Sequence, residues 1–215
     1  MELTLEIVGY IIAVIVGIVP IINPLSTAPV FISMTADASS QQRKKTATLA
    51  CLYMFLLLVT FLFIGTAIMQ FFGISLISLR IAGGLVIAYM GFRMLFPPEI
   101  QTPARDQLED PQPEDLAFTP LALPMLCGPG SISVVIAMAS RAYDAETWTS
   151  SLAGLAIISI GIGISALICW AVLWSSSGVV RFFGKSGIDA ATKLMGFFLI
   201  CMGIEIVLSG ITALN

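Results

Sequence analysis

The sequence predicts an all-α integral membrane protein of six transmembrane helices, built as two inverted three-helix repeats with the first and fourth helices discontinuous. The composition is 58% hydrophobic and 11% charged over 215 residues, with a mean hydropathy of +0.99, well outside the range of soluble domains. Six apolar stretches, 7–34, 46–69, 74–96, 118–140, 149–174 and 188–211, each come near the ~20 residues a helix needs to cross hydrocarbon. Two of these stretches break in the same way near their middles.

The first span contains "VPIINPLSTAPVF", residues 19 to 31. Pro24 cannot donate to the helix ladder and its ring restricts Asn23 to extended geometry, so one helix should end near Ile22 and another begin at Pro24. Asn is a favoured N-cap and Pro a favoured first helical residue. The stretch lacks the basic n-region and cleavage site of a signal peptide, and reads as a retained helix. Arg43, Lys44 and Lys45 precede the second span. The third carries Arg80 near its start, then Gly83, Gly84 and Gly91, small enough for close helix contact.

Residues 97–117, "PPEIQTPARDQLEDPQPEDLA", hold five prolines, six acidic residues and one arginine. No packed core can form from this composition, so it reads as a solvated cytoplasmic tether. It separates a first repeat, 1–96, from a second, 118–215. In the fourth span Gly128-Pro129 repeats the grammar of Asn23-Pro24, with Pro20, Pro120 and Pro124 unsettling the half-helices upstream. The fifth span is flanked by Trp148, Trp170 and Trp174, which suit aromatic belts, and contains Gly161 and Gly163. The sixth carries Gly196, Gly203 and Glu205.

The halves match weakly but in order. "INPLSTAPVFISM" (22–34) aligns with "CGPGSISVVIAM" (127–138), placing Ser26 against Ser131. "FFGIS" (71–75) matches "FFGKS" (182–186), and Gly84 and Gly91 match Gly196 and Gly203. With an odd number of spans in each half, the second must insert upside down, the inverted repeat common in secondary transporters. With the N-terminus outside, Arg43, Lys44, Lys45, Arg93, Arg105, Arg181, Lys185 and Lys193 fall at the inner face, and only Arg80 and Arg141 outside. This bias places both termini in the periplasm. Arg93, Arg181, Lys185 and Lys193 read as anchors that snorkel to headgroups.

Each break lies about 15 Å from the inner end of its span, near the middle of a ~30 Å core. The two downstream half-helices then aim their electropositive N-termini at each other from opposite leaflets. A carboxylate or phosphate suits such a place. Asn23, Pro24, Leu25, Ser26, Thr27, Gly128, Pro129, Gly130, Ser131 and Ser133 outline a small polar cavity for a small zwitterion such as glycine, alanine or serine. A proline kink used only for packing is the plain alternative for one break, and the matched pair favours a binding site. Glu205, a carboxylate within the sixth span, is a candidate proton carrier or the ion-pair partner of Arg80, at similar depth; it is also placed to reach the outer interface.

Other chemistry is scarce. There is no histidine, which removes the commonest metal ligand and general base. Cys51, Cys127, Cys169 and Cys201 lie singly in the spans, without metal or redox spacing. Asp37, Asp106, Asp110, Asp115, Asp144 and Asp189 lie in loops or at span ends, and no serine has a plausible partner base, so an enzyme is not expected. The net charge of -3 names no partner, because charge in a multi-pass chain acts loop by loop. No cofactor, metal or nucleic acid is called for. The expected partners are the zwitterion, a coupling cation (proton or sodium) and membrane lipid, and exposed glycine faces suit a homo-oligomer as well as the internal repeat interface.

The segments "NPLSTAPVF", "RIAGGLVIAYMGFRMLF" (80–96), "PLALPMLCGPGSI" (120–132) and "LMGFFLICMGIEIVLSGI" (194–211) together resemble the MarC family of bacterial inner-membrane proteins, over nearly the whole chain. The resemblance implies six membrane helices in inverted repeats related to the LysE-type superfamily. It also implies, from the SnatA-like branch, ion-driven uptake of small neutral amino acids such as glycine and alanine. The residues it carries over are Asn23, Pro24, Gly128, Pro129 and Gly130. Many family members have glycine where this chain has Ser26. Two other functions fit the broken spans: a passive channel for small neutral solutes, since opposed Asn-Pro half-helices also describe aquaporins, and a drug or metabolite exporter.

Overall fold

The computed structural model describes residues 2–36, 38–97, 116–143 and 148–213, and every regular element among them is a helix. They are α1 (Glu2–Ile22), α2 (Pro24–Met34), α3 (Ser40–Phe71), α4 (Leu76–Leu95), α5 (Ala117–Leu126), α6 (Pro129–Tyr143), α7 (Trp148–Trp174) and α8 (Ser176–Thr212). The acidic tether falls almost wholly outside the described residues. Five segments are long and apolar enough to span: Leu5–Ile22, Ser40–Phe71, Ile77–Leu95, Ser151–Trp174 and Ser186–Thr212; Pro24–Met34 is a shorter apolar helix. The fourth expected span is no single helix, being divided into α5 and α6.

Proline chemistry explains the irregular parts. α5 is wound as a π-helix, with Thr119 (φ -126, ψ 120) and Leu123 (φ -123, ψ 123) thrown into extended geometry. Each precedes a proline, whose ring clashes with a helical neighbour. Pro20 behaves otherwise: α1 carries it without a break, as membrane helices do when neighbouring groups take up the freed carbonyl. α3 begins earlier than its apolar run because Ser39 and Gln42 form a reciprocal capping box, which satisfies two first-turn donors and places Arg43, Lys44 and Lys45 on the helix. At the same end of the bundle, the Trp170 indole donates to Thr48 Oγ1 at 3.0 Å and Lys44 Nζ sits 5.3 Å over the Trp174 ring. Aromatic belt and basic anchors thus meet at one level.

Between helices in lipid there is little hydrophobic drive, so close backbone contact and dispersion hold them together. The α4–α8 pair is built this way. A Cβ added to Gly203 would lie 2.5 Å from Gly84 O and 2.5 Å from Ala88 N, and one added to Gly91 would lie 2.5 Å from Gly196 O. Gly84 therefore faces Gly203 and Gly91 faces Gly196, in reciprocal register. α3 and α7 form the second central pair, with Met54, Leu58, Leu62, Ile162 and Leu173 fully or almost fully buried around them. The peripheral contacts also come in matched sets: α1 lies on α7 as α5 lies on α3, and α2 lies on α8 as α6 lies on α4.

The two Phe-Phe-Gly turns are alike in detail. Phe71 and Phe72 meet edge to face at 5.3 Å, as do Phe182 and Phe183. Gly73 has φ +67 and Gly184 φ +64, with open space where a Cβ would stand. Backbone conformation, not crowding, requires glycine at both. At Gly184 the turn appears as a kink inside α8.

Candidate functional site

The first break falls where the sequence places it, but Asn23 is not extended as expected there. It adopts left-handed backbone (φ 44, ψ 67), outside the right-handed helical region that the following proline disfavours, and asparagine tolerates that conformation better than most side chains. Its Oδ1 accepts from the Ser26 N–H at 3.4 Å, and its carbonyl accepts from both Thr27 N at 3.2 Å and Thr27 Oγ1 at 3.2 Å. Pro24 has no N–H, so Leu25 carries the first-turn donor of α2 that has no acceptor within its own helix. The other end of the Asn23 amide donates to Ser26 Oγ and reaches Met94 Sδ at 3.6 Å. Ser26 Oγ in turn lies 2.7 Å from Thr192 Oγ1 of α8. Asn23 and Thr27 are buried, while Leu25 and Ser26 are half-buried.

The second break has the same form with smaller residues. α6 begins at Pro129 after the unwound Cys127 and Gly128, and Ile132 N donates to Gly128 O at 3.2 Å. Gly130 and Ser131 therefore present the free first-turn N–H groups. Ser131 is 1% exposed and its hydroxyl donates back to Leu126 O at 3.3 Å. Pro129 is exposed. Ser133, half-buried one turn further on, faces α4, where a Cβ on Gly83 would lie 2.8 Å from its own.

The two breaks are brought together through Gly130. A Cβ there would sit 3.4 Å from Ile21 Cγ2 at the end of α1, 3.2 Å from Met90 Sδ and 3.5 Å from Ile87 Cγ1. The contact at Gly130 is apolar, where the sequence predicts a small polar cavity. Ile21 and Ile87, which touch it, form a buried cluster with Leu199, and Met94, Val134 and Ile206 pack against that cluster. The break residues supply backbone donors at the edge of this cluster. Ile and Met side chains from the neighbouring helices cover them, which periodicity in a uniformly apolar sequence cannot reveal.

Beside the cluster lies an open cleft of about 140 Å³ between α4, α6 and α8. Ile87 belongs to both, and Arg80, Ser133, Arg141 and Ser209 line the cleft. Glu205 is not part of it. Gly203, Val207 and Gly210 face α4, and Glu205 lies roughly 200° round the helix from Gly203. It is exposed, and no ion pair joins it to Arg80 among the described residues. Thr192, Met94 and Arg141 are site residues that the motif reading left out. The repeat register holds a signal for one of them: the offset that carries Gly84 to Gly196 also carries Arg80 to Thr192.

Comparison with known proteins agrees with a membrane protein. The model of the MarC family integral membrane proteins matches residues 8–214. The chain is 38% identical over 204 residues to the inner membrane protein MarC of Escherichia coli O1:K1, covering 92% of this chain and 91% of the relative. It is 37% identical, over the same shares, to the proteins of that name from Escherichia coli K12 and Shigella flexneri. No solved structure matches. By the extent of both matches, the chain belongs to the MarC family of integral membrane proteins.

Proposed function

We propose that this protein is a secondary transporter that carries small neutral amino acids, glycine, alanine or serine, across the bacterial inner membrane by alternating access, driven by a proton or sodium gradient. The observation that carries the reading is the juxtaposition of two broken helices, with Gly130 of one against Ile21 of the other. Half-helix termini at such a point offer N–H donors and partial positive charge to a carboxylate, while the last carbonyls of α1, freed where Pro24 has no N–H to give, suit an ammonium.

The reciprocal contacts of Gly84 with Gly203 and Gly91 with Gly196 support two inverted repeats, because a contact between symmetry-related elements must recur with its members exchanged. The paired positive-φ glycines at 73 and 184 support the same reading. With the termini periplasmic, as the charge bias predicts, the cleft beside Arg80 opens outward. Its counterpart on the inner side is closed by the Ser26–Thr192 hydrogen bond and the Asn23–Met94 contact. Rocking one repeat against the other exchanges the open and closed sides, and the cluster of Ile21, Ile87 and Leu199 is the barrier between them.

The test is uptake of labelled glycine and alanine into proteoliposomes under imposed gradients. Accumulation above equilibrium, abolished by a protonophore or by collapsing the sodium gradient, is the expected result; equilibration without accumulation identifies a passive channel. Glu205→Gln is expected to leave accumulation and its pH dependence unchanged, because the side chain lies away from the cleft and the breaks. Loss of proton-driven accumulation in that variant assigns coupling to Glu205.

A further inference from the structure

The cleft beside α4 has an electrostatic character that the broken helices do not explain. Arg80 of α4 and Arg141 of α6 line the same cavity, with Ser133 and Ser209. Neither arginine has a hydrogen-bond or ion-pair partner among the described residues, and no carboxylate is among the residues that line the cavity. Glu205, the acidic side chain closest in sequence to the α8 wall, is on another face of that helix. The remaining walls are apolar, including Leu79, Val134 and Ile206. Arg80 is half-buried and Arg141 exposed, and two cations lining one cleft without a carboxylate beside them draw an anion to it.

We propose that this cleft is a binding site for the carboxylate of a small molecule, held by Arg80 and Arg141 and assisted by the Ser133 hydroxyl. The guanidinium fork matches a carboxylate in two parallel hydrogen bonds, which an ammonium side chain cannot do. The volume of about 140 Å³ is below the ~300–1,000 Å³ of pockets that enclose drug-sized ligands, so the ligand is of the size of acetate or glycine. The inference deepens the transport reading and rests on it for the ligand's identity: the cleft captures the substrate by its carboxylate before the path to the break opens. Ile87 links the two places, lining the cleft and touching the Gly130 position.

The experiment uses the full chain in phosphatidylcholine nanodiscs and measures binding of sodium acetate, glycine and methylammonium by calorimetry. Acetate and glycine are expected to compete with each other, to weaken as salt screens the cleft, and to lose about tenfold in affinity in Arg80→Gln and in Arg141→Gln, the loss of one charge-assisted contact of about 1.4 kcal/mol. Arg141→Lys and Arg80→Lys, which keep the charge and the fold, are expected to fall between. Methylammonium should not bind. Unchanged acetate affinity in both glutamine variants overturns the proposal. So does loss of acetate binding when phosphatidylglycerol replaces part of the lipid, since the arginines then hold a headgroup phosphate. The two readings separate cleanly: normal glycine uptake with unchanged acetate binding in the variants sinks this inference alone, whereas arginine-dependent acetate binding without any glycine uptake sinks the transport reading alone.

Discussion

Asn23→Asp is expected to leave the fold standing and to abolish glycine uptake. Aspartate keeps the Oδ acceptor that caps Ser26 and tolerates left-handed backbone nearly as well as asparagine. It loses the amide donor to Ser26 Oγ and Met94. It also sets a carboxylate, 7% exposed at this position, where, on the proposed transport reading, a substrate carboxylate is received. Asn23→Gly isolates the side chain. Glycine takes positive φ without steric cost, and loss of the asparagine cap to glycine costs only a few tenths of a kcal/mol. It is also the residue at the matched position, Gly128. This variant is expected to fold normally and transport roughly tenfold more slowly, the effect of about 1.4 kcal/mol. Initial uptake rates in proteoliposomes, read beside thermal unfolding of the same samples, separate the two effects. Wild-type transport by a folded Asn23→Asp protein would remove the first break from the substrate path.

The largest effect on stability is expected at Gly203. A methyl group there would meet two backbone atoms at 2.5 Å, and backbone cannot turn aside as the end of a side chain can. α4 and α8 must separate along their length, forfeiting the dispersion contacts on which helix association in lipid depends. Gly203→Ala is expected to cost about 3 kcal/mol, the upper part of the usual range for overpacking, and to lower the unfolding midpoint by roughly 10 °C. Gly91→Ala, crowded at 2.5 Å by Gly196 O, should behave alike. Gly9→Ala is the control, since nothing lies within 4 Å of its added Cβ and alanine favours the helix by up to about 1 kcal/mol. Equal midpoints for Gly203→Ala and the wild type would show that the α4–α8 contact is looser than described.

Much of the architecture was legible because its signals are local. The position of the break at Asn23-Pro24 was readable to the residue, since a missing N–H and a restricted neighbour act within two positions; the left-handed turn of Asn23 was not, because its amide settles against Ser26 and against Met94 of a distant helix. Gly128-Pro129 followed by the same rule, and the irregular winding of α5 at Thr119 and Leu123 has the same cause in Pro120 and Pro124. Pro20 shows the limit of that rule. Its effect depends on what surrounds the freed carbonyl, and α1 passes through it intact.

The site was legible only in part. Asn23, Ser26 and Gly130 were named from the sequence, and the structure brings their two breaks together. The apolar cluster over the breaks, the Ser26–Thr192 bond and the shared cleft of Arg80 and Arg141 were not. Each depends on which face of a helix meets its neighbour, and in a chain apolar on all sides hydrophobic periodicity no longer reports the buried face. Glu205 illustrates this: its depth is fixed by its place along α8, but its direction is set by Gly203 and Gly210 packing on α4.

By itself the sequence determined that the chain is a membrane protein of apolar helices and that its helices break before Pro24 and before Pro129. Those properties come from composition, proline and glycine, whose effects reach only a few residues along the chain. Tertiary structure alone decided what faces the breaks, which arginines share a cleft and which way Glu205 points, because helix rotation in lipid is set by close steric fit between distant segments, and that fit exists only once the helices have met.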